Sequence, residues 1–212
     1  MAITTVISDF GGVLTTPLIG SFAAFQDETG ISPESLGKAM ASAAERNGAH
    51  PLFELEKGHL TETEFLDLLR EHLEPELGHA PHMHRFKEIY FEALAPNPPM
   101  IELMADLKRR GYTMAMLTNN VREWEPLWRS MLPVDEIFEL IVDSAFVGMR
   151  KPEPQIYGLT LERLGGHTPG ECLFVDDVGV NIDAARELGM SAVHFRDNEQ
   201  AIAEIEALVR PG

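Results

Sequence analysis

The sequence has little of what marks several protein classes. Its 212 residues include one cysteine, Cys172, which excludes a disulfide framework and a zinc site built from several cysteines. No apolar run approaches the roughly 20 residues that a membrane-spanning helix needs. Residues 1–5 lack the basic residues and the long apolar core of a secretory signal. We therefore expect a cytoplasmic protein that does not bind a membrane.

Basic residues are also scarce. Lys and Arg number 17 against 34 Asp and Glu, which gives a formal net charge of −17 at pH 7. Nucleic acids and anionic membranes bind clustered positive charge, and this sequence has no basic cluster. We therefore expect a small-molecule ligand and no nucleic-acid partner, while both a monomer and a homodimer stay open.

Short β-prone runs alternate with amphipathic stretches of helical length. Continuous apolar runs of this length are typical of strands that are buried on both faces of a parallel sheet. The alternation predicts an α/β fold, a Rossmann-like open parallel sheet with helices on both faces. The predicted strands lie at 3–8, 112–118, 137–142, 172–175 and 191–195, and the predicted helices at 98–110, 121–131, 153–165, 179–188 and 198–209.

One interval is too long for this alternation. The stretch from Asp9 to Thr118 is more than three times the roughly 30 residues that a βαβ unit needs. Within it, Ser32 is a candidate helix N-cap, and residues 61–64 have the pattern of a capping box. We predict an α/β core domain at 1–16 and 96–212, with a small all-helical cap subdomain at 17–95, inserted after the first strand. Three phenylalanines of the cap are expected in its core, with a substrate-facing position as the alternative: Phe22, Phe25 and Phe53.

Polar residues follow most of the predicted strands. Ligands of open α/β sheets bind beyond the carboxyl ends of the strands, so we expect these residues to converge. Three carboxylates in one crevice repel each other by roughly 3 kcal/mol per pair, so such a site needs a hard dication such as Mg²⁺. A lysine would add a second cation, and a hydroxyl with free backbone N–H groups can hold phosphoryl oxygens. The residues concerned are Asp9, Thr118, Asn119, Lys151, Asp176 and Asp177.

Four segments together resemble the motifs of the haloacid dehalogenase superfamily of hydrolases. They are residues 9–14 (Asp-Phe-Gly-Gly-Val-Leu), 117–119 (Leu-Thr-Asn), 148–152 (Gly-Met-Arg-Lys-Pro) and 175–181 (Val-Asp-Asp-Val-Gly-Val-Asn). Their order, their spacing and the helical insertion agree with the family over nearly the whole length. The chain most resembles the subgroup that contains the N-terminal phosphatase domain of soluble epoxide hydrolases and bacterial sugar-phosphate phosphatases.

The resemblance implies a role for each matching residue. Asp9 would be the nucleophile, forming an aspartyl-phosphate that water hydrolyses, and Lys151 would neutralise charge on Asp9 and on the transferring group. The phosphoryl oxygens would be held by Thr118, Asn119 and Lys151. The Mg²⁺ ligands would be Asp9, Asp177 and the carbonyl of Gly11. The supporting residues, which orient Lys151 and the surroundings of the metal, would be Asp176 and Asn181.

The implied function is a Mg²⁺-dependent phosphatase that acts on a small phosphorylated metabolite, with sugar phosphates among the candidates. Gly11 departs from the family pattern, in which most phosphatases carry an Asp that serves as general acid and base. Either the substrate has a leaving group that needs little protonation, or a cap residue or water replaces the acid. The alternatives are a 2-haloacid dehalogenase, which needs no such acid, and a weakly active or non-catalytic phosphate-binding relative.

Overall fold

The computed structural model describes residues 2–83 and 85–209, and five parallel strands form one sheet in it. The strands are β1 (Thr5–Ser8), β2 (Thr113–Thr118), β3 (Leu140–Asp143), β4 (Cys172–Asp176) and β5 (Ser191–His194). Their order across the sheet is β3-β2-β1-β4-β5, and every neighbouring pair is parallel. The structure confirms the predicted α/β fold.

The central strands are buried on both faces. All four residues of β1 are buried, and adjacent side chains point to opposite sides: Val6 packs in one core cluster and Ile7 in the other. This explains why the run reads as continuously apolar rather than alternating. The edge strands are less buried, since β3 is half-buried at two of its four positions and β5 at three of its four.

Helices cover both faces of the sheet, as predicted. Helices α6 and α12 pack on the face that contains Val6, whereas α10 and α11 pack on the face that contains Ile7. The bounds are α6 (Pro98–Arg109), α7 (Glu125–Met131), α8 (Val134–Ile137), α9 (Ser144–Val147), α10 (Pro154–Arg163), α11 (Gly179–Glu187) and α12 (Asn198–Leu208), with 3₁₀ turns at Arg122–Trp124 and Pro169–Glu171.

Two predicted boundaries differ from the structure by more than two residues, and the others differ by two at most. The third strand begins at Leu140 rather than at residue 137, because residues 134–137 form the short helix α8, whose Val134 and Ile137 are buried. The helix predicted at 121–131 begins as a 3₁₀ turn. Pro126 then occupies the first turn of α7, a position where its missing N–H is tolerated.

The long interval after β1 is helical in the structure, and we call its five helices the cap helices. They are α1 (Ile19–Thr29), α2 (Pro33–Asn47), α3 (Pro51–Glu56), α4 (Glu62–Leu77) and α5 (Phe86–Glu92). The described residues between 17 and 95 include no strand. Ser32 caps α2, and Thr61 with Glu64 forms the predicted capping box of α4. The exact domain boundaries stay a prediction.

The three cap phenylalanines have different environments. Phe25 is buried and packs against Phe86 with ring centroids 4.9 Å apart, so its assignment to the core is correct. Phe53 is 40% exposed and lies under the Arg150 guanidinium, so its assignment to the core is wrong. Phe22 is half-buried and lines a cavity described below.

In the described part of the chain, no helix is both long and apolar enough to cross a membrane.

Candidate active site

The central strands of the sheet bring the predicted site residues to one edge. Asp9 follows β1, Thr118 ends β2 and Asp176 ends β4, and β1 lies between the other two strands. The backbone N–H of Asp9 donates to the carbonyl of Val175 at 2.8 Å, which extends the pairing of β1 and β4 into the site. Asp9, Thr118 and Asp176 are all buried.

Lys151 joins two of the carboxylates. Its Nζ lies 2.8 Å from Oδ1 of Asp9 and 2.6 Å from Oδ2 of Asp176, and the side chain is 1% exposed. Burial alone would lower the pKa of Lys151, but the charges of Asp176 and Asp9 outweigh burial and raise that pKa. The ammonium therefore stays protonated at neutral pH.

Asn119 holds the backbone of Lys151 in place. Its Nδ2 donates to the Lys151 carbonyl at 3.0 Å, and its Oδ1 accepts from the Lys151 N–H at 2.8 Å. These two bonds connect the end of β2 with the loop that carries the lysine. Because the side-chain amide is engaged in this way, the group that Asn119 can offer to a phosphoryl oxygen is its backbone N–H.

Asp176 and Asn181 form a buried hydrogen-bonded pair. Nδ2 of Asn181 lies 3.0 Å from Oδ1 and 3.2 Å from Oδ2 of Asp176, and Oδ1 also accepts from the N–H of Val178 at 2.8 Å. Tyr157 in turn donates its hydroxyl to the carbonyl of Asn181 at 3.0 Å. Both oxygens of Asp176 are thus in use, which suits a residue that orients Lys151.

Asp177 lies against the loop that follows Asp9. A Cβ added to Gly12 would stand only 2.1 Å from Oδ2 of Asp177, and Gly12 has a φ of 75°, which side chains rarely adopt. Position 12 therefore requires glycine for two reasons: the backbone turn has a positive φ, and the Asp177 carboxylate leaves no room for a Cβ. Gly11 has no such requirement: its φ is not left-handed, and an added Cβ would meet only the side chain of Leu18, at 3.4 Å.

The site carries more negative than positive charge. One oxygen from each of Asp9, Asp176 and Asp177 lies within 4.8 Å of the others, and Lys151 is the cation in contact with two of them. Burial, together with the charges of Asp176 and Asp177, raises the pKa of Asp9 to about 7 against the opposing effect of Lys151. Burial and the charge of Asp176 also raise the pKa of Asp177. If all three carboxylates are ionised, as a bound cation would favour, the single ammonium leaves two negative charges uncompensated, and the oxygen donors suit Mg²⁺.

Two cavities adjoin this edge of the sheet. The smaller, of about 30 Å³, is lined by backbone and side chains that include Gly11, Thr118 and Asn119. The larger, of about 200 Å³, extends between the cap helices and is mainly apolar. Four residues line both cavities: Leu18, Tyr90, Asn119 and Asn120.

A family model described as haloacid dehalogenase-like hydrolase matches residues 3–189. The chain belongs to this family. Among its curated relatives, rat bifunctional epoxide hydrolase 2 is 31% identical over 97% of this chain, which spans 39% of the length of that relative. A sesquiterpene phosphatase of Aspergillus oryzae is 32% identical over 55% of this chain and 59% of its own.

Solved structures of other haloacid dehalogenase-like enzymes share the fold over most of the chain. One from Bacteroides thetaiotaomicron superposes with a TM-score of 0.75 at 25% identity, covering 100% of both chains. The same enzyme in complex with magnesium and inorganic phosphate gives a TM-score of 0.65 over 91% of this chain and 93% of its own. L-2-haloacid dehalogenase from Xanthobacter autotrophicus superposes with a TM-score of 0.63 at 21% identity, covering 99% of this chain and 85% of its own, which shows the fold alone.

The sequence analysis of this hydrolase missed the residues that the cap helices contribute. Tyr90 on α5 lines both cavities. Glu56, at the end of α3, pairs with Arg150: Oε2 of Glu56 lies 2.5 Å from Nε of Arg150. Arg150 stands directly before Lys151 in residues 148–152, but its place in that motif does not indicate a contact with the cap helices. Tyr90 and Glu56 lie within ordinary amphipathic helical patterns, which carry no signal of where the helices dock.

Proposed function

We propose that this hydrolase is a Mg²⁺-dependent phosphatase that acts through an aspartyl-phosphate on Asp9. The observation that carries the proposal is the buried Asp9 carboxyl group beside Lys151, in a cluster of three carboxyl groups in which Lys151 contacts two. A phosphoryl group adds more negative charge, so the cluster needs a dication to receive it. A catalyst for halide displacement would not need this arrangement, and we therefore favour the phosphatase over the dehalogenase.

The metal would be held by Asp9, Asp177 and the carbonyl of Gly11, and it would supply positive charge at the phosphoryl oxygens. Lys151 lies 2.8 Å from Asp9, where it can offset charge on the nucleophile and on the transferring group. The Thr118 hydroxyl and the backbone N–H of Asn119 would hold phosphoryl oxygens at the end of β2. Asp176 and Asn181 would keep Lys151 oriented through their buried hydrogen bonds.

The larger cavity suggests the kind of organic group that the phosphate carries. Its lining is dominated by Leu, Met, Phe and Trp side chains of the cap helices and their surroundings. A sugar would leave many hydroxyls unpaired there, whereas an apolar group would be buried favourably. We therefore propose a phosphate monoester with an apolar organic group rather than a sugar phosphate. The relatives include both a sesquiterpene phosphatase and glyceraldehyde 3-phosphate phosphatases, so this choice rests on the cavity lining.

The proposal is tested by following phosphate and halide release, with and without Mg²⁺, in the wild type and in Asp9→Asn. The substrates are 4-nitrophenyl phosphate, 2-phenylethyl phosphate and 2-chloropropionate. We expect Mg²⁺-dependent phosphate release that Asp9→Asn abolishes. Asp183→Asn is the matched control, because Asp183 is an exposed aspartate on α11, and we expect it to keep wild-type turnover.

Two results would contradict the proposal. Metal-independent halide release without phosphate release would identify a dehalogenase. No release of either product across a panel of apolar and sugar phosphates would identify a non-catalytic relative.

A further inference from the structure

The resemblance to the first motif of the family implies a general acid at position 11, and this chain has Gly11 there, which has no side chain to donate a proton. The small cavity beside Gly11 is closed on its other sides by side chains that include Tyr90, Phe91 and Leu94. Of these three, Tyr90 alone carries a polar group. The cap helix α5 thus places a phenol against the space that Gly11 leaves open.

Tyr90 also stands where a bound ester would have its bridging oxygen. It lines the small cavity next to Thr118 and Asn119 and also lines the larger apolar cavity. A substrate with its phosphoryl group at the strand ends and its organic group among the cap helices must cross the boundary between the two cavities. The bridging oxygen connects those two parts of the substrate, so it lies at this boundary.

The other polar side chains that line both cavities are two amides, Asn119 and Asn120, which are not acids at neutral pH. Both polar atoms of the Asn119 amide bond to the backbone of Lys151, and Oδ1 of Asn120 accepts from the N–H of Val121 at 2.9 Å. The Tyr90 ring packs against Trp124 and Phe91, with centroids 4.9 and 5.4 Å away. No hydrogen bond to its hydroxyl is found in residues 2–83 and 85–209. The ring is therefore held by packing while the hydroxyl stays available.

The electrostatic surroundings keep this hydroxyl protonated. Burial and the negative charges of Asp9, Glu56 and Asp177 all raise the pKa of Tyr90. Tyr90 therefore carries its proton at neutral pH, as a proton donor must.

We propose that Tyr90 is the catalytic proton donor to the leaving oxygen of the substrate, in place of the acid that Gly11 cannot supply. The inference rests on the proposed phosphatase function. As an oxygen of Asp9 bonds to phosphorus, the bond from phosphorus to the bridging oxygen breaks, and that oxygen keeps the electron pair. It takes the Tyr90 proton and leaves as the neutral alcohol. The phenolate regains a proton from the water that attacks the aspartyl-phosphate, so alcohol and phosphate are the products.

Glu56 is the other protonatable side chain that the cap places in the lining of the larger cavity. Its carboxylate accepts from Nε of Arg150 at 2.5 Å, and the guanidinium stacks on Phe53 at 4.0 Å from the ring centroid. It does not line the cavity beside Gly11. Glu56 is therefore held by a docking contact and lies away from the boundary where the bridging oxygen falls.

The test compares two esters of similar size, 2-phenylethyl phosphate and 4-nitrophenyl phosphate, in Tyr90→Phe with saturating Mg²⁺. The alkoxide from the first needs a proton to leave, whereas nitrophenolate is a stable anion. General acid catalysis is worth 10²–10⁴-fold, so we expect kcat for the alkyl ester to fall by about 100-fold and kcat for the aryl ester by less than about 3-fold. Phenylalanine keeps the ring contacts. Tyr112→Phe is the matched control, because that hydroxyl bonds to the Val209 carbonyl, and we expect it to change neither value.

An equal fall for both esters would overturn the inference, because a misplaced ring or cap would slow both reactions alike. Unchanged turnover of both esters would overturn it too. In either case Asp9→Asn still reports separately on the phosphatase function: if that variant abolishes release, the phosphatase stands without Tyr90 as its acid. A fall in kcat that is confined to the alkyl ester supports both the phosphatase function and the role of Tyr90 as the proton donor.

Discussion

At the scale of single residues, the site depends on one ammonium shared by two buried carboxylates. Lys151 contacts Asp9 and Asp176 within 2.8 Å while being 1% exposed. Buried ion pairs of this kind often add nothing to stability relative to apolar residues of similar volume, whereas removing one partner costs about 3–5 kcal/mol. The arrangement is therefore better explained by chemistry at Asp9 than by folding.

Gly11 offers a direct test of the missing acid at the residue scale. Its backbone allows a side chain, and an added Cβ would meet only the flexible Leu18. In the Tyr90→Phe background, which lacks the proposed proton donor, we expect Gly11→Asp to raise kcat for 2-phenylethyl phosphate by about 10-fold and to change kcat for 4-nitrophenyl phosphate much less, because general acid catalysis helps poor leaving groups most. Gly11→Ala controls for the added Cβ. Equal effects on both esters would show that protonation of the leaving group does not limit the reaction.

The sequence predicted that the candidate residues at strand ends lie together, and it missed the residues of the cap helices that line the adjoining cavities. Asp9, Thr118 and Asp176 could be placed together because parallel strands end at one edge of the sheet, whatever the helices do. Tyr90 and Glu56 reach the site through packing of α3 and α5, which depends on distant contacts such as Phe25 on Phe86. No local pattern encodes such contacts.

At the scale of elements, the cap docks on the sheet domain through polar contacts near Lys151. Glu56 pairs with Arg150 at 2.5 Å, Lys57 pairs with Glu153 at 2.6 Å, and Ser144 donates its hydroxyl to the Glu56 carbonyl. All three contacts join the end of α3 to residues 144–153. The same segment therefore positions the lysine and receives the cap.

We expect the Glu56–Arg150 ion pair to contribute a measurable coupling free energy between the cap helices and the loop that carries Lys151. Its side chains are 17% and 14% exposed, so we expect a double-mutant cycle with alanine to give a coupling free energy of about 1–3 kcal/mol. The pair Arg46–Glu71 joins α2 to α4 within the cap, but its side chains are 64% and 59% exposed. For this control pair we expect a coupling free energy of about 0.2–1 kcal/mol. The measurement is urea unfolding of the two single variants and the double variant for each pair, and equal couplings would contradict the prediction.

Asp143 makes stability depend on pH at the end of β3. Its Oδ1 accepts from the N–H of Ala145, its Oδ2 has no partner among the described residues, and burial raises its pKa from 3.8 to about 6. Of its charged neighbours, Glu125 raises this pKa, while Arg122 and Arg129 lower it. Between these two pH values the folded protein binds the proton more tightly than the unfolded chain does. The free energy of unfolding therefore falls as pH rises from about 4 to about 6, by up to about 3 kcal/mol.

The variant Asp143→Asn tests this dependence, because it keeps an oxygen that can cap α9 and removes the charge. We expect its stability relative to the wild type to rise between pH 4 and pH 6 and then to stay constant, as measured by urea unfolding at several pH values. Asp135→Asn is the control, because Asp135 is an exposed residue whose pKa is lowered by Arg129. A constant difference across the whole range would show that Asp143 titrates normally in the folded protein.

Element boundaries show why sequence analysis stops short of the complete fold. The parallel sheet follows from buried apolar runs such as Cys172–Asp176, whose five residues are all buried. Helix α8 and the later start of β3 do not follow from the sequence pattern, because residues 134–142 contain apolar positions that suit either a helix or a strand. Packing of Val134 and Ile137 into the core decides for the helix.

At the scale of the whole molecule, the net charge of −17 opposes compaction and makes any cation stabilising to some degree. A specific Mg²⁺ site must be distinguished from this general screening, which acts over about 8 Å at physiological ionic strength. The acidic cluster at Asp9, Asp176 and Asp177 differs from the general surface in being largely buried.

We therefore expect Mg²⁺ to raise the free energy of unfolding beyond what NaCl of equal ionic strength does, by about 2.7 kcal/mol at 100 times its Kd. Asp177→Asn should lose this extra stabilisation, because it removes a ligand from the cluster. Glu199→Gln changes the net charge equally at an exposed position on α12, and we expect it to keep the Mg²⁺ effect in full. Thermal unfolding with and without Mg²⁺ at constant ionic strength measures the stabilisation by Mg²⁺ in each variant. If Asp177→Asn and Glu199→Gln respond alike, Mg²⁺ acts through the overall charge of the molecule and the cluster is not its site.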